Sequence, residues 1–315
     1  MKEQELDQIH IDFSSDSTIL LNICLAIIMF GIALEIRRQD FQRLKRHPRA
    51  ALIGTVGQFI LLPAFTFIFI LFMQPQASIA LGLILVGACP GGNISNFLSH
   101  FSGSNSALSV SLTGIATLLS LIMTPLNFEF YAWLYPPTRE LLKGIFIDPW
   151  SVIETITIIM GIPLISGLLV QQRFPHFADR LGPILRKLSI LIFIAFVGVA
   201  LANNFTLFQN YIHEVLLVVF LHNALALALG YYWAQLTRLS RRDSRTLSLE
   251  MGIQNAGLGL VLVFTFFSGM GGMALVTAWW GIWHITAGLT LAFYWNRHPA
   301  LPEHPAGQSS LEKTE

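Results

Sequence analysis

Charge is scarce in this 315-residue chain: 12% of its residues are Asp, Glu, Lys or Arg, against roughly 25% in a soluble domain. So few charges cannot cover a surface that faces water on every side, so lipid must solvate much of the molecule. The 54% hydrophobic share points the same way. Neither sign of charge is in excess. A formal net charge of +1 argues against a nucleic-acid partner. Cysteine is scarce too: Cys24 and Cys89 both fall inside apolar runs, have no loop cysteine to pair with, and say nothing about redox compartment. No two histidines stand at metal-ligand spacing, which weighs against a membrane-embedded metalloenzyme. A basic start followed by a short apolar core is also missing. The opening MKEQELDQIHIDFSSDS is acidic, so residues 1–17 are expected to form an extracytoplasmic N-terminus rather than a cleaved leader. Residues 297–315 are rich in Pro, Gly and Ser and are expected to form a cytoplasmic tail.

Long apolar runs are what the chain has in abundance. A crossing needs about 20 apolar residues, and nine stretches qualify: 18–36, 50–73, 77–101, 106–130, 151–170, 188–205, 214–235, 246–268 and 274–296. None shows the alternation of a membrane β-barrel, so the predicted fold is an all-α integral membrane protein with about nine transmembrane helices. The basic residues orient it. Alternate loops, beginning with Arg37–Arg49 and ending with Arg297 and Lys313, hold 16 of the 19 Lys and Arg, leaving Lys2, Arg139 and Lys143 on the other side. Positive loops stay cytoplasmic. The N-terminus is then outside and the C-terminus inside an inner or plasma membrane.

Two runs cannot be plain helices. The third contains ACPGGNISN at 88–96, where a proline costs roughly 3 kcal/mol and each glycine about 1 kcal/mol in a helix interior. Such a break at mid-membrane is tolerated only where it lines a cavity or is buried in protein. The eighth contains EMGIQNAGLGL at 250–260 and sets Glu250, Gln254 and Asn255 among glycines. An intramembrane carboxylate is a functional hypothesis by default; the plain alternative is a Glu250 that snorkels to the cytoplasm near Arg245. Each break is third in a run of four helices, and the fifth helix makes the two runs opposite in topology. That arrangement predicts an inverted repeat with a site at mid-membrane. Similarity between the halves is faint: GQFILLPA (57–64) and HNALALAL (222–229) share only an amide followed by an apolar run.

The fourth run carries Ser106, Ser109, Thr113, Thr117, Ser120 and Thr124 on one helix face. Small hydroxyl residues often serve only helix packing, the reading taken for the outer members. Ser109 and Thr113, beside a broken third helix, can offer oxygens to a hard cation such as sodium.

PGGNISN (90–96), NSALSVSLT (105–113), EMGIQNAG (250–257) and WHITAG (283–288), with Gln58 in its GQF context, resemble motifs of the bile acid:sodium symporter family, in order across residues 20–296. The resemblance implies two crossed broken helices enclosing two sodium sites. The first would use Ser95, Asn96, Ser109, Thr113 and Glu250. The second would use Gln58, Glu250 and Gln254 with the carbonyls of Met251 and Ile253. It further implies panel helices within 18–49 and 151–205, and core helices within 50–130 and 214–296 that hold the ion and substrate site. The function implied is sodium-coupled symport of a small organic anion by alternating access, with no organic cofactor and no enzymatic activity. Asn93 stands where members often have Thr, and Ile285 where they often have Asn, so a bile acid and other organic anions are both open. Asn93, Asn255 and His284 are the candidate substrate contacts. Related alternatives are an arsenite-type oxyanion exporter, for which Cys89 would be the thiolate, and a sensor that keeps the carrier fold without flux.

Overall fold

A computed structural model describes residues 5–9, 11, 15–37, 48–143, 149–203 and 205–300. The basic stretch 38–47 and the expected tail from 301 lie outside the described residues. The remainder is helical: α1 (Glu5–Gln8), α2 (Ser15–Glu35), α3 (Pro48–Val56), α4 (Leu62–Met73), α5 (Ala77–Ala88), α6 (Ile94–Phe101), α7 (Ser106–Leu134) and α8 (Pro136–Leu142). Then follow α9 (Pro149–Ile156), α10 (Ile162–Arg173), α11 (Pro175–Asn203), α12 (Phe205–Leu236), α13 (Arg241–Gly252), α14 (Ala256–Phe266) and α15 (Gly271–Arg297). Helices lie within all nine stretches expected to cross. Four helices, Pro48–Met73, Ser106–Leu134, Glu154–Arg173 and Phe208–Leu236, are long and apolar enough to span a membrane, and Asn22–Leu34, Ala77–Ala88 and Ala256–Phe266 are shorter apolar helices.

Three starts differ from expectation because charge conceals helix. α11 begins at Pro175 rather than 188, α12 at Phe205 rather than 214, and α13 at Arg241 rather than 246. Ser240 fixes the last of these: its hydroxyl accepts from Asp243 N as an N-cap. Arg180, Arg186 and Lys187 therefore belong to a helix and not to a loop.

Two π turns were not foreseen. Gly57–Leu61 joins α3 to α4, and Thr157–Gly161 joins α9 to α10. Each ends two residues before a proline, Pro63 or Pro163, which cannot donate to the carbonyl four residues back. For Pro63 that carbonyl is Phe59 O, and Asn127 Nδ2 of α7 donates to it at 2.9 Å. The wider turn carries Gln58 into the protein, where it is 4% exposed.

α2 lies along α10 and α11, α12 along α13, and α5 along α15. Large apolar side chains face outward on many helices, including Leu52, Ile68, Phe72, Ile122, Leu169 and Leu191. A surface this apolar fits lipid rather than water, and the chain is an integral membrane protein. Trp133 and Trp150 lie exposed, as an aromatic belt would have them. Trp280 is fully buried because α5 and α12 enclose α15; its ring meets His222 edge-on at 5.1 Å. His222 is a packed residue, its Nε2 2.8 Å from Thr66 Oγ1.

Candidate functional site

α5 stops at Ala88 because Pro90 follows, and the chain runs extended through Cys89 before α6 begins at Ile94. α13 stops at Gly252, Ile253 is extended, and Asn255 starts α14 by accepting from Leu258 N at 3.0 Å. The two breaks cross and pair. Gly91 and Gln254 form an antiparallel bridge, with Gly92 N donating to Ile253 O at 2.7 Å and Asn255 N to Pro90 O at 2.9 Å. The backbones come so close that side chains are excluded. A Cβ on Gly91 would sit 3.0 Å from Glu250 Oε2, and one on Gly92 2.9 Å from Gln254 O. The PGG sequence thus both ends a helix and lets a second chain approach.

Breaking two helices frees carbonyls that must find donors or cost about 1–3 kcal/mol each. Buried side chains meet that need. Thr124 Oγ1 donates to Ala88 O at 2.8 Å, Gln58 Nε2 to Cys89 O at 2.9 Å, and Asn223 Nδ2 to Gly252 O at 2.7 Å. Asn127, Thr124 and Asn223 were not among the residues expected at the site. A buried amide or hydroxyl in an apolar run was the available signal, but only the crossing shows which carbonyl each one serves.

Glu250 lies at the end of α13 with 4% of its surface exposed. It does not snorkel. Ser95 Oγ donates to its Oε1 at 2.6 Å, Ser109 Oγ donates to the same oxygen, and Thr113 Oγ1 lies 3.3 Å from Oε1 and 3.2 Å from Oε2. Asn96 Oδ1 accepts from Ser109 Oγ at 2.9 Å and from Thr113 Oγ1 at 3.1 Å. All five residues expected at the first sodium site therefore converge, although they come from α6, α7 and α13. Three hydroxyl hydrogens are shared among six oxygen–oxygen contacts.

The carboxylate has no counterion among the described residues, whose ion pairs join Arg37 to Asp179 and Lys143 to Glu140. Arg245 of the same helix points away, donating to Trp295 O at 3.3 Å and His298 O at 2.7 Å. A buried, unmatched carboxylate is costly, and a cluster rich in oxygen and poor in hydrogen suits a hard cation.

Of the second expected group, Gln58, Gln254 and Met251 come together, while the Glu250 carboxylate bonds to the first group. Gln58 Nε2 donates to Gln254 Oε1 at 2.9 Å, and Gln254 Nε2 to Met251 O at 2.7 Å. Ile253 O, expected to be open to an ion, already accepts from Gly92 N, so only its second lone pair remains. The three substrate candidates are spread out. Asn93 and Asn255 lie half-buried at opposite ends of the paired break, and Asn255 spends its Oδ1 as a cap. His284 is buried on α15 with Nδ1 unpartnered, one turn before Gly288, whose face touches Ile253 and Leu98. No hydrogen bond among the described residues joins the three. Cys89 packs into an apolar cluster that includes Leu85 and Leu260, with its sulfur near Gly259.

Two crossed broken helices with a polar centre define a secondary-transporter class of fold. Residues 22–210 match the profile of the Sodium Bile acid symporter family, and the chain belongs to that family. It is 33% identical over 280 residues to the uncharacterized sodium-dependent transporter YocS of Bacillus subtilis, covering 88% of this chain and 83% of that one. It is 29% identical over 251 residues to the probable sodium/metabolite cotransporter BASS2, chloroplastic, of Oryza sativa subsp. japonica, covering 80% of this chain and 58% of that protein. A sodium-dependent organic anion transporter of Mus musculus is 27% identical over 254 residues, covering 80% of this chain and 65% of its own length.

Proposed function

We propose that this chain is a sodium-coupled symporter of a small organic anion. The observation that carries the reading is Glu250, a buried carboxylate without a basic partner among the described residues, ringed by Ser95, Asn96, Ser109 and Thr113 where the two broken helices cross. Turning the Asn96 amide so that Nδ2 faces the hydroxyls would supply hydrogens but leave the carboxylate's charge unmatched. A sodium ion supplies that match. A second ion is assigned to Gln58, Gln254, Glu250 and the carbonyls of Met251 and Ile253. The relatives named for sodium-dependent, metabolite and organic anion transport support the same reading.

Two sodium ions beside one carboxylate leave a net positive charge in a low dielectric. An anion bound near Asn93, Asn255 and His284 cancels it, which makes sodium and substrate binding mutually favourable and couples them. In this reading the chain crosses the membrane nine times, N-terminus outside. Helices 50–130 and 214–296 rock as a core against a panel of 18–49 and 151–205.

The test is uptake into proteoliposomes of labelled keto acids, pantoate, sulfonates and bile salts, with inward sodium or potassium gradients. One class is expected to accumulate with sodium only, faster when the interior is negative, because net positive charge enters with each anion. Equal uptake with potassium, or no response to voltage, contradicts the proposal.

A further inference from the structure

We propose that the chain holds the phosphate headgroup of an anionic phospholipid in a cavity separate from the helix crossing. The cavity, about 1010 Å³, opens between the start of α3, the start of α7 and the loop from α12 to α13. Arg49, Arg238 and Arg242 line it, against a single acid, Asp243. None of the three arginines is in an ion pair among the described residues. Asp243 is itself occupied, accepting from Asn105 Nδ2 at 2.7 Å. Backbone carbonyls hold two of the guanidiniums in place: Arg49 Nη2 donates to Thr237 O at 2.7 Å and Arg242 Nε to Gly103 O at 3.2 Å. Each keeps further N–H donors in the fork that fits a phosphate. Arg238 takes a left-handed backbone, φ 57°, just after α12. Gly or Asn would adopt that conformation more cheaply, and neither would bring a charge.

The backbone adds to this field. α3, α7 and α13 all begin at the cavity, and each N-terminus carries roughly half a positive charge. The depth is that of a headgroup, since the apolar helix Pro48–Met73 starts here and Phe208–Leu236 ends here. The lining also holds Ala50, Leu108 and Leu239, which belong to or pack against an apolar cluster. A free phosphate has no use for that apolar lining, whereas the glycerol ester of a lipid does. Basic pockets at this depth are where anionic lipids are held. The bound lipid also clamps two helices that matter: α7 continues to Ser109 and Thr113, and α13 to Glu250.

The test uses the full chain in an uncharged detergent, with phosphatidylglycerol or phosphatidylcholine of the same acyl chains added. Phosphatidylglycerol is expected to raise the melting midpoint more than phosphatidylcholine in the wild type. The same is expected in R173Q/R180Q, which loses two arginines outside the cavity. In R238Q/R242Q the difference is expected to vanish. No preference in the wild type, its persistence in R238Q/R242Q, or its equal loss in R173Q/R180Q overturns the proposal. Inorganic phosphate alone giving the full shift replaces the lipid with a free anion and overturns it too. Native mass spectrometry of the wild type in an equal mixture of the two lipids needs no variant. Retention at least tenfold in favour of phosphatidylglycerol is expected, and equal retention overturns the site.

Discussion

Ser95 Oγ donates to Glu250 Oε1 across 2.6 Å, and the two residues lie 155 positions apart in the chain. One begins the half-helix after the first break; the other ends the half-helix before the second. The contact ties the crossing together through a carboxylate that has no basic partner among the described residues, so whatever neutralises Glu250 also governs how firmly the halves hold.

Glu250→Gln removes the charge and keeps the shape. In potassium buffer the variant is expected to be more stable than the wild type by about 1–3 kcal/mol, the order of cost for an uncompensated buried polar group. In sodium the wild type recovers that difference by binding the ion. Thermal unfolding of both proteins in matched sodium and potassium buffers checks this: the wild-type midpoint rises with sodium and the variant's stays flat.

Thr113→Val swaps one hydroxyl for a methyl at nearly constant volume. Sodium affinity is expected to fall about tenfold, or roughly 1.4 kcal/mol. Thr117→Val, one turn on, removes a hydroxyl that donates only to Thr113 O and is expected to leave the sodium titration unchanged. Sodium-dependent midpoint shifts measured over a concentration series distinguish the two.

Gly91→Ala and Gly92→Ala force a methyl against Glu250 and the Gln254 backbone. Each is expected to destabilise by about 1–3 kcal/mol, as overpacking does. Gly198→Ala, with nothing within 4 Å of the added Cβ, is expected to stabilise its helix by about 0.5–1 kcal/mol. Unfolding midpoints of the three variants test the contrast.

Gln58→Leu and Asn223→Leu each leave a freed carbonyl, Cys89 O or Gly252 O, without its donor. Both are expected to cost about 1–3 kcal/mol. Only Gln58→Leu is expected to weaken sodium binding as well, because Gln58 also bonds Gln254 Oε1. Loss of sodium response in Asn223→Leu with none in Gln58→Leu reverses the assignment of the second ion.

The helices and both breaks were legible because apolar runs, a proline with glycines inside one, and a carboxylate with amides among glycines inside another have strong local consequences. Glu250, Ser109 and Thr113 were read from an intramembrane carboxylate and a hydroxyl stripe, but Ser95 and Asn96 were reached through motifs that resemble a known family, since nothing local in NISN or NSALSVSLT says that Asn96 and Ser109 will touch. The π turns at Gly57 and Thr157 left only a weak trace, a proline two residues on. The donors Thr124, Asn127 and Asn223 were illegible for another reason. Each serves a carbonyl on a different helix, and a sequence read helix by helix does not show which carbonyls the fold sets free. The helix starts at Pro175 and Arg241 were hidden by charge, because a hydropathy reading ends a helix where water begins.

The most direct test of sodium coupling at Glu250 is a count of bound ions, by equilibrium binding of radioactive sodium to the purified protein with and without its anion. Two saturable sodium sites in the wild type are expected, tightened by the anion, with binding reduced at least tenfold in Glu250→Gln. Saturable sodium binding that is unchanged in Glu250→Gln would contradict the account.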